Sequence, residues 1–417
     1  MKRATICCEL VLAGLSMLLF AAADWPQFLG PGGASVSAEK GLPVKWSATQ
    51  NVVWKTALPG AGASSPIVLG DKIFVTAYSG YGTGDDKGTS EDLMRHVLCL
   101  DAAGGKILWQ KSVKAELPEA GYGSFVLEHG YASGTPATDG KAIYVFFGRS
   151  GAYAFSLAGE QLWHADVGTK THNWGSGTSP LLAGDLVVIN ASVESGSLVA
   201  LDKASGKEAW RVRGIVQSWS TPALLTPADG KPELVVSLQG KVLGLDPVTG
   251  QQLWTCAGVP DYVCPAVLTH GDVAYVTGAR KAVIMAIRGG GRGDVTKSHK
   301  LWEVPGGSKV PTPLWDDGNL YWVADTGIAW CVSAKTGELV YQKRLGLGKV
   351  YASLLLADGK LYAVSRTKGA VVYAAGPAFK ELAHNDLGDA SLFNASPVPC
   401  QGRFLLRSDR FLYCIGE

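Results

Sequence analysis

Glu128-His129 and His164-Ala165-Asp166 each set a carboxylate beside an imidazole, the pairing that general acid–base catalysis uses. Isolated pairs of this kind are more often surface hydrogen-bonding groups. The seven histidines show no H-x-x-x-H or equivalent ligand spacing, so no metal site is expected. A G-x-S-x-G nucleophile elbow is absent. GGGRGD, Gly289 to Asp294, is glycine-rich, but no strand-to-helix pattern surrounds it. It reads as a flexible loop, not a phosphate cradle, and its Arg-Gly-Asp as coincidence. Cys256 and Cys264 flank one connecting loop, a spacing that suits a disulfide in an exported chain.

The elements that would carry these residues are short and repeated. ALDKASGKEAW, Ala200 to Trp210, is an apolar run, a turn cluster and a second run closing on an aromatic. That is a β-hairpin: Asp202 can accept backbone N–H groups of the turn, and Gly206 supplies a left-handed φ. Trp210 has too much apolar surface to leave in water and must dock outside its own hairpin. Near copies run from Cys99 to Trp109, with Asp101, and from Gly244 to Trp254, with Asp246 and Gly250. The closing aromatic recurs at Trp54, Trp109, Trp163, Trp210, Trp254, Trp302 and Tyr341, at blade-like intervals of roughly 40–55 residues, and Leu382 holds the next slot.

A small residue followed by proline opens each unit: Ser65, Thr135, Ser179, Thr221, Cys264, Thr312 and Ser396, with Ala352-Ser353 filling the remaining place. Both series count eight units of four strands, the pattern of an all-β, eight-bladed propeller. Trp54 has no earlier strands of its own, and the last unit lacks a fourth strand. The segment Val52 to Thr56 is therefore expected to complete the C-terminal blade and close the ring, removing its open edges. Cys99, Cys331 and Cys414 share one repeat position that Ala154, Ala200 and Gly244 fill elsewhere, so they read as small buried hydrophobes.

MKRATICCELVLAGLSMLLFAAA reads as a signal peptide: Lys2 and Arg3, an apolar core, and small residues before a cut after Ala23. The apolar run is too short to span a bilayer comfortably. This gives residues 1–23 as leader and 24–417 as one propeller domain, exported to the periplasm or beyond and not an integral membrane protein. A net charge of +2 implies no basic face for nucleic acid.

ALDKASGKEAW resembles the tryptophan-docking motif of the pyrroloquinoline-quinone (PQQ) repeat family, A-x-D-x-x-x-G-K-x-x-W, at every defined position. That family includes quinoprotein alcohol dehydrogenases and BamB, the propeller subunit of the outer-membrane β-barrel assembly machinery. ADWPQFLGPGGASVS, EHGYASGTPATDGKAIYVFFGRSG and GGGRGDVTKSHKLW are similar to a planctomycete-type group of secreted PQQ-like propellers. The resemblance implies eight blades. As an oxidoreductase of alcohols or sugars it would also imply PQQ with Ca²⁺, a vicinal Cys-Cys, a catalytic Asp, and Glu, Asn and Asp ligands. The only vicinal pair is Cys7-Cys8 in the leader, and no Asp or Glu matches the base or the ligands by motif. No cofactor and no catalytic residue are therefore expected.

In a propeller the blade-to-blade loops gather at one channel mouth. Positions shortly before each proline marker place Tyr131, Trp219, Asp261, Tyr262, Lys309, Lys349, Phe393 and Asn394 there, with His172 and Trp174 beside them. Such a mix around a concavity suits recognition; large aromatics also serve simply to plug a channel. The first loop, Gln110 to Gly134, is long enough to be functional. The expectation is a monomeric, non-catalytic scaffold binding an envelope protein, or a polysaccharide, through this mouth.

Overall fold

In the computed structural model, which describes residues 24–83, 88–228 and 230–417, the hairpin turns follow from single hydrogen bonds. Asp202 Oδ1 accepts the Ser205 N–H at 2.8 Å, and Gly206, at φ +70°, donates its N–H to the Asp202 carbonyl at 2.8 Å. Ala200 faces Trp210 across the ladder. Asp101 and Asp246 bind the Gly104 and Thr249 N–H groups in the same way, at 2.7 and 2.9 Å.

Each closing tryptophan then leaves its own blade. Trp210 lies over Gly250 of the next blade, where an added Cβ would come within 2.7 Å of the indole. Its Nε1–H reaches the Pro247 carbonyl at 3.3 Å. Trp163 meets Gly206 and Lys203 O (2.8 Å) likewise, Trp109 meets Gly159 and Leu157 O (3.0 Å), and Trp54 meets Gly105 and Ala102 O (3.1 Å). Trp302 repeats the contact with Gly337 and Ala334 O (3.1 Å). Glycine is required in these turns twice over, for the left-handed φ and for the space under the ring.

Stacked this way, eight sheets form an eight-bladed β-propeller. Blade 1 comprises Ile67–Leu69, Lys72–Ser79, Met94–Asp101 and Ile107–Lys114, and the inner strands of blades 2 to 8 begin at Ala137, Leu181, Ala223, Leu268, Leu314, Leu355 and Val398. The ring closes as the complementary ends imply: Val52–Ala57 pairs antiparallel with Phe411–Ile415, Trp54 opposite Cys414. The core lies between blades, for example where Trp163 packs with Val187, Ile189 and Val199 of blade 3.

Three features differ from the sequence reading. GGGRGD is docked and not loose. Gly293–Asp294 pairs in parallel with Gln252–Ala257, and Arg292 ion-pairs at 3.0 Å with the buried Glu233. None of the four glycines of the blade 5 connection lies under the Trp254 ring; the indole is fully covered and donates to Glu233 Oε2 at 2.6 Å instead. The disulfide is also absent: Cys256 and Cys264 are both free. Cys256 lies two residues beyond Trp254 on the same strand, so alternation puts it in the same interblade core, whereas Cys264 faces the channel axis. Finally, residues 24–37 cross the far face of the ring. Trp25 bridges Val68 of blade 1, Pro26 O accepts Thr138 N–H of blade 2 at 2.8 Å, and Ser35 O accepts Leu356 N–H of blade 7 at 2.9 Å.

The leader, its cut after Ala23 and Cys7-Cys8 lie outside the described residues. Among the described residues no helix is long and apolar enough to cross a membrane.

Candidate functional site: an axial cup under a rim helix

The eight markers that open the blades converge on the axis, and seven of them bond to one another. The Ser65 N–H donates to Thr135 Oγ1, Thr135 N–H to Ser179 Oγ and Ser179 N–H to Thr221 Oγ1, all at 3.0 Å. Across the ring Thr312 N–H donates to Ser353 Oγ at 2.9 Å, Ser353 N–H to Ser396 Oγ and Ser396 N–H to Ser65 Oγ at 3.0 Å. The pattern shifts at Cys264, where Ala266 N–H takes over the bond to Thr312 Oγ1 at 2.9 Å. A thiol is a weak acceptor, so it substitutes poorly for a hydroxyl here. The markers were legible in the sequence as punctuation; that the same residues line the channel was not.

This collar forms the wall of a cup of about 190 Å³. Phe28, from the crossing N-terminal segment, is its floor and separates it from a second space of about 200 Å³ on the far side. Over the opposite mouth lies a short helix, Val126–His129, carried by the long first loop. It is latched to distant blades. The Glu128 carboxylate accepts Arg366 Nη1 and, at 3.3 Å, Lys349 Nζ. The Glu128 carbonyl accepts Arg366 Nη2 at 3.0 Å and Asn394 Nδ2 at 2.7 Å. Burial pushes the Glu128 carboxyl up, but Arg366 and Lys349 outweigh it and hold the group below its ordinary range. His129 Nε2 lies 2.8 Å from the Trp174 carbonyl, and its Nδ1 lies 2.5 Å from Ser133 Oγ.

Of the residues placed at the mouth from sequence, Trp174, Trp219, Tyr262 and Asn394 line the cup. His172 stacks edge-on against Trp219 at 5.0 Å behind that lining. Trp219 is only 7 % exposed and donates Nε1–H to Gly175 O at 2.8 Å. Burial pushes the Tyr262 phenol up to about 12. The other five sit elsewhere. Tyr131 is buried against Tyr78 and Tyr81 and donates to Ala120 O at 2.7 Å. Phe393 packs on Tyr413 in the core. Asp261 pairs with Arg280 at 3.2 Å, and Lys309 with Asp325 at 3.8 Å. Lys349 reaches Glu128 at 3.3 Å from the exposed rim. Residue spacing before a marker could not tell which way each side chain turns. Sequence reasoning missed Phe28 and Tyr351 and dismissed the pair Glu128-His129; the length of the first loop was the one available signal. His164, of the other dismissed pair, lies outside the cup, stacked on Tyr153 at 4.3 Å.

The lining does not suit a quinone held with Ca²⁺. Glu128, its one carboxylate, is committed to two cations, and among the described residues lining the cup no Lys or Arg is present to pair a polycarboxylated quinone. No group of three or more His, Cys, Asp or Glu among the described residues is placed to hold a metal ion.

A family model described as the outer membrane protein assembly factor BamB matches residues 93–257 and 292–377, more than half of the chain. The chain belongs to this PQQ-like repeat family. No curated protein sequence matches it. Among solved structures, BamB from Moraxella catarrhalis is 14 % identical, with a TM-score of 0.61 over 87 % of this chain and 96 % of that one. A europium-containing methanol dehydrogenase is 11 % identical, with a TM-score of 0.65 over 93 % and 89 % of the two chains. The computationally designed Ika8 protein is 12 % identical, with a TM-score of 0.61 over 88 % and 100 %. An assembly factor, an enzyme and a design fit almost equally well, so the likeness fixes the fold and leaves function to the site.

Proposed function

We propose that this BamB-like propeller is an exported binding scaffold of the periplasm or cell envelope, monomeric, taking an envelope protein at its crossover-loop mouth. The observation that carries the reading is the rim helix. Phe125 and Leu127 stand 46 % and 50 % exposed at its start and middle, although the loop around them is well anchored. Phe125 meets Trp174 edge-on at 4.8 Å, and Trp174 meets Tyr262 at 4.8 Å and Trp219 at 4.9 Å. An aromatic anchor surface beside a cup is what a protein partner uses as a hot spot. The family's namesake, an outer membrane protein assembly factor, favours a protein over a small metabolite. The N-terminal stretch from Met1 to Ala23 supports export.

A photo-crosslinking residue in place of Phe125, expressed in the native host, should capture an envelope protein, and Leu127→Asp should abolish the capture. Capture unaffected by Leu127→Asp, or binding of a purified envelope polysaccharide in place of any protein, would overturn the reading.

A further inference from the structure

The cup also holds a serine hydroxyl in contact with an imidazole. His129 Nε2 is 2.8 Å from the Trp174 carbonyl, and a carbonyl can only accept. The Nε2 atom therefore carries the ring proton. In the neutral imidazole that leaves Nδ1 bare, and its neighbour at 2.5 Å is the Ser133 hydroxyl. That hydroxyl has one proton and two acceptors in reach, Nδ1 and, at 3.2 Å, the His129 carbonyl; the shorter contact is with Nδ1. Burial, and more weakly Arg366, holds the imidazole below its ordinary range, so it is neutral at pH 7.

This is the nucleophile–base–orienter arrangement of acyl-transfer sites, with a backbone carbonyl in the orienting place. Ser133 and His129 both line the cup. The collar hydroxyls do too, but those of Ser65, Thr135, Ser179 and Thr221 each accept a backbone N–H of the neighbouring blade. Ser133 is the lining hydroxyl, among the described residues, whose bonded partner is a base. A helical turn alone would explain a contact between residues four apart. It would not explain why the ring's far nitrogen is fixed from the next blade's loop, nor why both groups face a cavity.

We propose that Ser133 and His129 form a catalytic dyad that hydrolyses carboxylic esters with a short apolar acyl group, seated in the cup against Trp219 and Tyr262. Ser133 Oγ adds to the ester carbonyl carbon as its proton passes to His129 Nδ1. Collapse of the tetrahedral adduct breaks the bond to the alkoxy oxygen, which takes that proton and leaves through the mouth as the alcohol. Water, deprotonated by His129, then attacks the Ser133 ester, and the acid departs with Ser133 restored. The sum is ester plus water to acid plus alcohol, with no oxidant, metal or cofactor. Trp174 acts as a positioning residue through its carbonyl. The proposal goes beyond partner binding and does not need it.

The full chain is treated with a fluorophosphonate probe, which reports an activated serine, and separately with the p-nitrophenyl esters of acetate and butyrate. One adduct per chain on Ser133 is expected by peptide mass mapping, lost in Ser133→Ala. Ester turnover should drop at least 100-fold in Ser133→Ala and in His129→Gln. Ser133→Cys guards against a folding failure: its thiol should react with iodoacetamide at least tenfold faster than in the double variant that also carries His129→Gln. A natively melting protein that takes no adduct on Ser133 overturns the proposal. So does turnover that survives Ser133→Ala, or a thiol in Ser133→Cys whose rate is indifferent to His129.

Discussion

Replacing Arg366 with alanine should release the rim helix while leaving the ring intact. The guanidinium is 7 % exposed and makes two hydrogen bonds to Glu128, one to its carboxylate and one to its carbonyl at 3.0 Å. A third reaches Asn394 Oδ1 at 2.8 Å, and the group stacks over Tyr351 at 4.6 Å. Charge-assisted hydrogen bonds contribute about 1.5–3 kcal/mol each. Water can replace part of the bonding to Glu128, whose side chain is 26 % exposed, so the low end applies. Two bonds at about 1.5 kcal/mol give about 3 kcal/mol for local opening, roughly a 100-fold rise in the open population. Native-state amide exchange reads this at Glu128 and Gly130, whose N–H groups bond to Phe125 O (2.9 Å) and Val126 O (2.8 Å). Both should lose about two decades of protection with little change in melting temperature. Lys349→Ala should change almost nothing, because that lysine is 64 % exposed and such pairs contribute little. Unchanged protection in Arg366→Ala would refute the latch. It would mean that the buried Val126, packed in the Tyr78–Tyr131 cluster, and the bonds to Asn394 and Trp174 hold the helix without Arg366.

Trp210→Ala should cost about 4 kcal/mol in chemical denaturation, as for large-to-small core changes; a loss under about 1 kcal/mol would show that interblade docking carries little. Trp219→Ala should come close to it, since Trp219 is as buried as Trp210, at 7 % against 9 %. Burial pushes the Glu194 carboxyl from 4.5 up to about 7, partly offset by the Ser176 hydroxyl. Between those pH values the folded chain keeps a proton that the unfolded chain releases, so the contribution of Glu194 to stability is fully present below 4.5 and about 3 kcal/mol of it is lost as pH rises through 7. Glu194→Gln should flatten this slope, and a slope unchanged by that substitution would exclude Glu194 as its source. Deleting residues 24–56 removes the floor and the closing strand together; a truncated chain that still melts cooperatively at the wild-type temperature would contradict closure through Val52–Ala57.

Blade count, strand count and closure were legible in the sequence because each is a local or repeated property. A turn needs Asp202 and Gly206 at fixed offsets, and an indole as large as Trp210 must be buried wherever it falls. A missing fourth strand at one end and a spare strand at the other can satisfy each other in only one way. The identity of the cup residues was different in kind. Tyr131 and Trp174 both lie a few positions before a proline marker, yet one turns into a tyrosine cluster and the other over the cavity. Strand alternation does not extend through irregular loops, so nothing local selects between them. The contacts that make the site join residues far apart in the chain: Glu128 with Arg366, His129 with Trp174, Phe28 beneath a collar drawn from all eight blades. Only bending the chain into a ring brings them together, and so the dyad, the latch and the floor belong to the tertiary structure.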